Sequence, residues 1–413
     1  MTKKGRAIKI SKRFEVSQRV KILRYEIREL VPLAKSIEKK GEKIFWLNIG
    51  DPLKYDFKTP EHILEALYYA SRENYNYYSD SQGLLELREA IVKKEKRVNN
   101  IDLSPDDIII TAGVSEGINF LMASLLEKNQ ELLIPSPTYP LYKNFIRFYG
   151  GEPKYYRLIE NNNRWSIDLS SIEEKINDRT LGIVIINPNN PTGALFSKED
   201  ILKVGEIAKE HDLIIISDEI YDRIIYDKSF YSTASLIKDV PIVGLNGFSK
   251  TYLVTGWRLG YVYFSNFEND KLKDAFLKLA RNRLCVSTPF QKALADTINK
   301  SDKHIFEMVY KLKRRRDFAL KMIEENEDIE CALPEGAFYL FPRIKVKGDW
   351  KNDTEFCRKL LIEEKVVIVS GSGFYMYDQN HFRTVFLPTE DYIQEAFTRI
   401  FKFIKRHKKE SSK

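Results

Sequence analysis

The chain has 413 residues, 43% of them apolar, with a formal charge of +8. That length exceeds one core of ordinary size, so two domains are expected, and the apolar share excludes a wholly disordered chain. Three scattered cysteines (Cys285, Cys331, Cys357) with no CxxC pair argue against a disulfide scaffold, and five dispersed histidines without HExxH argue against a metal site.

The first residues, MTKKGRAIKISKR, and the last, KFIKRHKKESSK, hold much of the basic excess and read as solvated tails. No helix-turn-helix or zinc-finger pattern accompanies them, so nucleic acid is not an expected partner. No signal-peptide core and no run of roughly 18 apolar residues is present, so a cytoplasmic protein without membrane attachment is expected. Residues 1–50 are too few to stand alone and are expected to pack on a smaller domain or across a subunit boundary. Residues 51–300 alternate strand and helix. DIIIT (107–111) predicts a short buried strand, SEGINFLMASLLEK a helix, ELLIP and LGIVIINP two more strands. Ser197 is a predicted N-cap for the next helix, and DLIIISDEIY and VPIVGLNGFSK predict two further strands. Strands apolar on both faces and separated by helices define a three-layer α/β/α domain with a mostly parallel sheet and right-handed crossovers. Residues 301–413 change texture: a charged helix around KLKRRRDFALKMIEEN, then PEGAFYLFPRI and FRTVFLP as antiparallel strands, predict a smaller α+β domain.

In such sheets ligands collect beyond the carboxyl ends of the strands. TAGVSEG ends the first predicted strand and opens a helix, whose free N–H groups make an anion cradle; its ordinary alternative is a plain strand-to-helix turn. Asn190, in INPNNPTGAL, either points an amide into the crevice or caps its own turn. Asp218, in SDEIY, follows four consecutive apolar residues, where a carboxylate is costly without a cation or strong donor; it could also be a helix cap. Tyr221 lies three residues on. Lys250, in GFSKTYLVTGWRLGY, is either an exposed loop lysine or a desolvated, nucleophilic amine. Taken together, a phosphate cradle, a ring-nitrogen carboxylate, an asparagine–tyrosine pair and a reactive lysine match pyridoxal 5'-phosphate.

From about residue 20 to about 405 the chain resembles the class I/II aminotransferases, pyridoxal-phosphate enzymes of the aspartate aminotransferase fold. SK followed by GWRLGY, together with NPNNPTG, SDEIY, PSPTYPLY, YYSDSQGLLELREAI and PEGAFYLFP, carries the resemblance in family order. It implies that Lys250 forms an imine with the cofactor aldehyde and shuttles the substrate proton, and that Asp218 pairs with the pyridinium nitrogen. It implies further that Tyr221 and Asn190 hold the phenolic oxygen, that Val114, Ser115 and Arg258 hold the phosphate, and that Tyr139 stacks on the ring. Tyr78 would reach the phosphate of the neighbouring subunit, which requires a homodimer. Arg383 and the backbone of Gly50 would bind the substrate carboxylate, with Asn190 beside them. One position departs from the pattern: many members have serine three residues before the lysine, where this chain has Gly247, leaving Ser249 as the nearest hydroxyl. LNIGDPLKYDF, NYYSDSQGL and LCVSTPFQ look most like archaeal-type alanine aminotransferases, which implies ping-pong exchange of alanine and 2-oxoglutarate for pyruvate and glutamate. Aspartate or broader specificity, a β-lyase, and a non-enzymatic ligand sensor are the competing readings. Arg28, Arg281 and Arg283 are the candidates for the distal carboxylate of glutamate.

Overall fold

The computed structural model describes residues 15–409, so the basic opening stretch and the last four residues lie outside the described residues. The chain begins its sheet structure with β1 (Phe45–Trp46). The central strands follow as β2 (Ile108–Thr111), β3 (Glu131–Ser136), β4 (Glu152–Asn161), β5 (Arg164–Ile167), β6 (Thr180–Ile186), β7 (Ile214–Asp218), β8 (Ile242–Gly247) and β9 (Gly260–Ser265). Short strands close the chain: β10 (Ile329–Glu330), β11 (Tyr339–Leu340), β12 (Arg343–Ile344), β13 (Val366–Val367), β14 (Val369–Ser370) and β15 (Phe382–Val385).

The eight central strands form one sheet in the order β2-β9-β8-β7-β6-β3-β4-β5. Pairing is parallel from β8 through β4; β9 runs antiparallel to both β8 and β2, and β5 antiparallel to β4. Alternate residues of these strands go to opposite faces. Ile109, Val184, Ile216 and Val243 pack with Ile118, Leu121 and Met122 of the Val114–Leu125 helix on one face. Ile110, Ile183, Ile215 and Ile242 enter the core on the other. Both faces are therefore dry, the condition for a helix-covered parallel sheet. Ser197 caps the Lys198–Glu210 helix through a capping box with Asp200.

The sequence pattern did not separate β9 or the β4–β5 hairpin. YVYF of β9 follows directly on the Lys250–Arg258 motif, and most of β4 is only half-buried, so it lacks an all-apolar signature. β7 stops at Asp218 and β8 at Gly247, several residues short of the apolar patterns that predict them. Both chains turn there out of the sheet toward one edge. Beyond the sheet, the long Lys303–Glu324, Asp353–Glu364 and Glu390–His407 helices pack on the short strands. β1 pairs in parallel with β13, which ties residues 45–46 to this second body. No helix among the described residues is long and apolar enough to cross a membrane.

A buried ionic cluster fixes the loops at the site edge. Lys94, on the Leu85–Asn99 helix, donates to Glu95 at 2.9 Å and to Asp222 at 2.6 Å. Asp222 also accepts from Asn99 at 3.1 Å and from Asn246 of β8 at 2.9 Å. The ammonium holds the Asp222 carboxyl below its ordinary value even though burial opposes this. Lys94→Ala would strand two carboxylates in the interior; we expect a loss of about 3–5 kcal/mol of unfolding free energy in urea titrations, and a loss under about 1 kcal/mol would show that the cluster is not strongly coupled.

Candidate active site

The carboxyl ends of β2, β6, β7 and β8 open on one cavity of about 470 Å³, closed on its far side by Tyr339 of β11 and Arg383 of β15. Tyr25, Ile27, Arg28 and residues 49–51 complete its wall. Of the residues singled out from sequence, Gly50, Val114, Ser115, Tyr139, Asn190, Asp218, Tyr221, Ser249, Lys250, Arg258 and Arg383 all line it. Tyr78 does not; it is 82% exposed on the outer surface.

One corner is positive. β2 ends at Thr111, and Gly113, at φ +77°, turns the chain into the helix that starts at Val114. The first N–H groups of a helix have no intrahelical partner and carry the positive end of the helix dipole. A Cβ at Gly113 would lie 2.5 Å from Arg258 Nη2, so only glycine lets the guanidinium lie against this turn. Arg258 donates to Thr255 O at 3.2 Å and is itself in the left-handed region. The departure at Gly247 has a packing reason. A Cβ there would meet Gly260 Cα and Leu259 O, both at 3.1 Å, so any side chain at this position would have to push the tight β8–β9 contact apart by a few tenths of an ångström.

The centre of the cavity holds a carboxylate without a cation. Asp218, 3% exposed at the end of β7, accepts from Tyr142 Oη at 2.9 Å and from Ile220 N at 3.3 Å. Burial pushes its carboxyl up to about 6, against the two hydrogen bonds. Tyr221 Oη lies 2.7 Å from Tyr339 Oη. Tyr139 Oη lies 3.3 Å from Tyr25 Oη. Lys250 follows β8 by three residues and donates to Gly50 O at 2.7 Å. Desolvation pushes this amine down to about 8, with Arg258 and Arg383 adding to the effect and Asp51 opposing it.

The far wall is built around Arg383, 1% exposed. It donates to Asn190 Oδ1 at 2.9 Å and to the carbonyl of Asn48. Its guanidinium sits between the rings of Tyr339 (4.5 Å) and Phe374 (4.6 Å), and its Nε has no protein partner. Asn190 spends its carbonyl oxygen on this arginine, so its NH₂ end is the one available to a ligand.

Three contributors carry no role in the sequence reading. Tyr142 is three residues after Tyr139, the spacing that places both on one side of a helix start, and this is the signal that could have found it. Tyr339 lies inside the PEGAFYLFP motif. Tyr25 comes from a segment whose approach to the site is purely tertiary. Among the arginine candidates, Arg28 lines the cavity. Arg283 is instead held by Glu116 at 3.0 Å and by the carbonyls of Ser81 and Ile110, and Arg281 is outside the cavity wall.

Pyridoxal phosphate fits this donor set. The glycine-lined positive corner suits its phosphate, the uncharged-partnered Asp218 suits a protonated ring nitrogen, and the desolvated Lys250 suits its aldehyde.

Comparison with known proteins agrees. The family model for aminotransferase class I and II matches residues 42–400. The glutamate-pyruvate aminotransferase AlaA of Escherichia coli is 36% identical, over 94% of this chain and 98% of that protein. The (5-formylfuran-3-yl)methyl phosphate transaminase of Methanocaldococcus jannaschii is also 36% identical, over 92% of this chain and 97% of that protein. The solved alanine aminotransferase from Pyrococcus furiosus superposes with a TM-score of 0.92 at 46% identity, covering 95% of this chain and all of that one. The chain belongs to the class I and II aminotransferases. It is a pyridoxal-phosphate-dependent transaminase with the aspartate aminotransferase fold.

Two outcomes follow from the electrostatics. Tyr142→Phe removes a bond to the ionised carboxylate, so the Asp218 carboxyl should titrate above its value of about 6 in the cofactor-free protein; its infrared carboxyl band reports this, and an unmoved midpoint would remove Tyr142 from the account. Uptake of cofactor by the cofactor-free protein needs the neutral amine of Lys250. Its rate should rise with pH up to and through about 8 and then level off. A rate that still climbs about ten-fold per pH unit above pH 9 would contradict a desolvated amine.

Proposed function

We propose that the chain moves an amino group between L-alanine with 2-oxoglutarate and pyruvate with glutamate, by a ping-pong mechanism, as a homodimer. The observation that carries the transamination geometry is a buried arginine with no carboxylate partner, Arg383, in the same cavity as Lys250 and Asp218. The names of the relatives support the substrate pair: one is a glutamate-pyruvate aminotransferase and another an alanine aminotransferase.

The cofactor supplies an aldehyde to receive the amino group and a ring to accept electrons. Arg258, Val114 and Ser115 bind its phosphate, with Ser249 at the same corner. Asp218 stays ionised opposite the ring nitrogen, and Tyr142 holds that carboxylate in place. Tyr221 and the Asn190 amide would hold the cofactor's phenolic oxygen, and Tyr139 would pack against the ring. Arg383 grips the substrate carboxylate in a two-pronged contact, which a lysine could not reproduce. Gly50 offers backbone beside it. By fixing the carboxylate, this grip would orient the α-carbon toward Lys250. Lys250 then takes the proton from the α-carbon and returns it on the other side of the exchange. Tyr78, exposed in the single chain, extends to the phosphate of a second copy.

Alanine asks nothing more of the site than space for a methyl group. Glutamate needs a second cation, and Arg28 is the candidate that lines the cavity. Arg28→Gln should raise KM for glutamate and 2-oxoglutarate about ten-fold or more, while KM for alanine changes less than about two-fold. Equal effects on both substrates would mean that Arg28 is structural.

The phosphate-ester transaminase among the relatives gives the competing specificity. A panel of amino donors against pyruvate and 2-oxoglutarate separates the two. The proposal expects alanine and glutamate to be the fastest donors, with no ammonia released. Fast turnover confined to an amine bearing a phosphate ester, or release of ammonia, would overturn it.

A further inference from the structure

A second cavity, of about 780 Å³, lies between the β4–β5 hairpin and the small domain, with no residue in common with the transaminase site. Its wall carries five carboxylates against two side-chain cations, Arg343 and Lys345, in a chain whose formal charge is +8. Arg343 is already paired with Glu330 across the β10–β12 ladder. Glu160 of β4 is half-buried, and burial pushes its carboxyl up although Arg343 opposes this. It makes no ion pair among the described residues. Opposite it in the hairpin register is Trp165, and Leu320, Ile323 and Met376 supply an apolar floor.

His381 supplies an independent sign of a ligand. It is 1% exposed, stacks on Phe341 at 5.0 Å and lies 5.9 Å from Trp165. Its Nδ1 is 2.6 Å from Asp378 Oδ1. In the tautomer that donates Nδ1–H to this carboxylate, Nε2 presents a lone pair, and that buried atom has no partner. The half-buried Glu160 and the buried Nε2 are thus both acceptors waiting for a donor. A primary ammonium offers three N–H donors and a positive charge, and an aromatic face such as that of Trp165 attracts cations. Anions and simple apolar molecules satisfy neither group.

We propose that this cavity binds an aliphatic primary amine in its ammonium form, with Glu160, Asp378 and His381 around the nitrogen and the apolar floor along the carbon chain. Such an amine comes either from a free polyamine or from a basic amino-acid derivative. The assignment does not depend on which amino acids the enzyme transaminates.

Isothermal titration calorimetry of the full-length, cofactor-loaded protein with spermidine and with lysinamide tests it, at about 150 mM salt to suppress loose surface association. At least one of the two amines should saturate a single site per chain. Glu160→Gln should weaken binding about ten-fold or more while leaving the thermal midpoint of the free protein in place, and Asp378→Asn, which also loosens the buried His381, should weaken binding by a similar factor. Preference for spermidine assigns the site to polyamines, and preference for lysinamide to basic amino-acid derivatives. No saturable binding of either amine overturns the proposal. So does an affinity that neither variant changes, since that places the amine elsewhere on the protein, and so does tighter binding of inorganic phosphate that Glu160→Gln alters.

Discussion

Two ionisable groups of opposite sign, Asp218 and Arg383, are buried in one cavity, and the protein gives neither a counter-ion. Asp218 receives a phenol and a backbone N–H. Arg383 receives an amide oxygen and a carbonyl. Uncompensated charge of this kind is expensive to fold. For Asp218 the sign is clear: its carboxyl rises from 3.8 to about 6, so the unfolded chain ionises first and the cofactor-free protein loses stability as pH climbs between those values. The loss amounts to about 3 kcal/mol above that window. On the proposed reading, a ring-nitrogen cation beside Asp218 and a substrate carboxylate on Arg383 would remove both penalties.

The rest of the architecture holds these charges apart and in place. The parallel sheet delivers Asn190, Asp218 and Lys250 to one edge because β6, β7 and β8 run the same way. β9, antiparallel beside β8, brings Gly260 against the Gly113 turn and sets the Arg258 corner. The Lys94 cluster ties the loop after β7 to β8 and to the Leu85–Asn99 helix. The small domain contributes the opposing wall, since Tyr339 and Arg383 lie on adjacent paired strands, β11 and β15. Asn190 touches Arg383 across the divide, so the proposed ring and carboxylate sites would share one side chain.

What was legible in the sequence and what was not follow one rule. LGIVIINP and DLIIISDEIY announce buried strands because apolar runs of that length have few other uses, and they place Asn190 and Asp218 at strand ends directly. The α/β class and the aminotransferase family were readable from these runs and from the Lys250–Arg258 motif. The β4–β5 hairpin was not, because β4 buries only Tyr156 and Leu158 fully and β5, though it alternates, is only four residues long. The bond from Tyr142 to Asp218 and the approach of Tyr25 and Arg28 depend on distant segments meeting, which local pattern does not encode. Gly247 was visible as a departure, but its cause, contact with Gly260 and Leu259, belongs to strand packing.

On the proposed reading, Lys250 carries the cofactor aldehyde beside Asp218, which would pair with a ring cation. Borohydride reduction of the cofactor-loaded protein, followed by peptide mass mapping, tests this most directly. The prediction is one pyridoxyl group per chain, on the peptide containing Lys250. A label on another lysine, or a protein that retains no label at all, would contradict it.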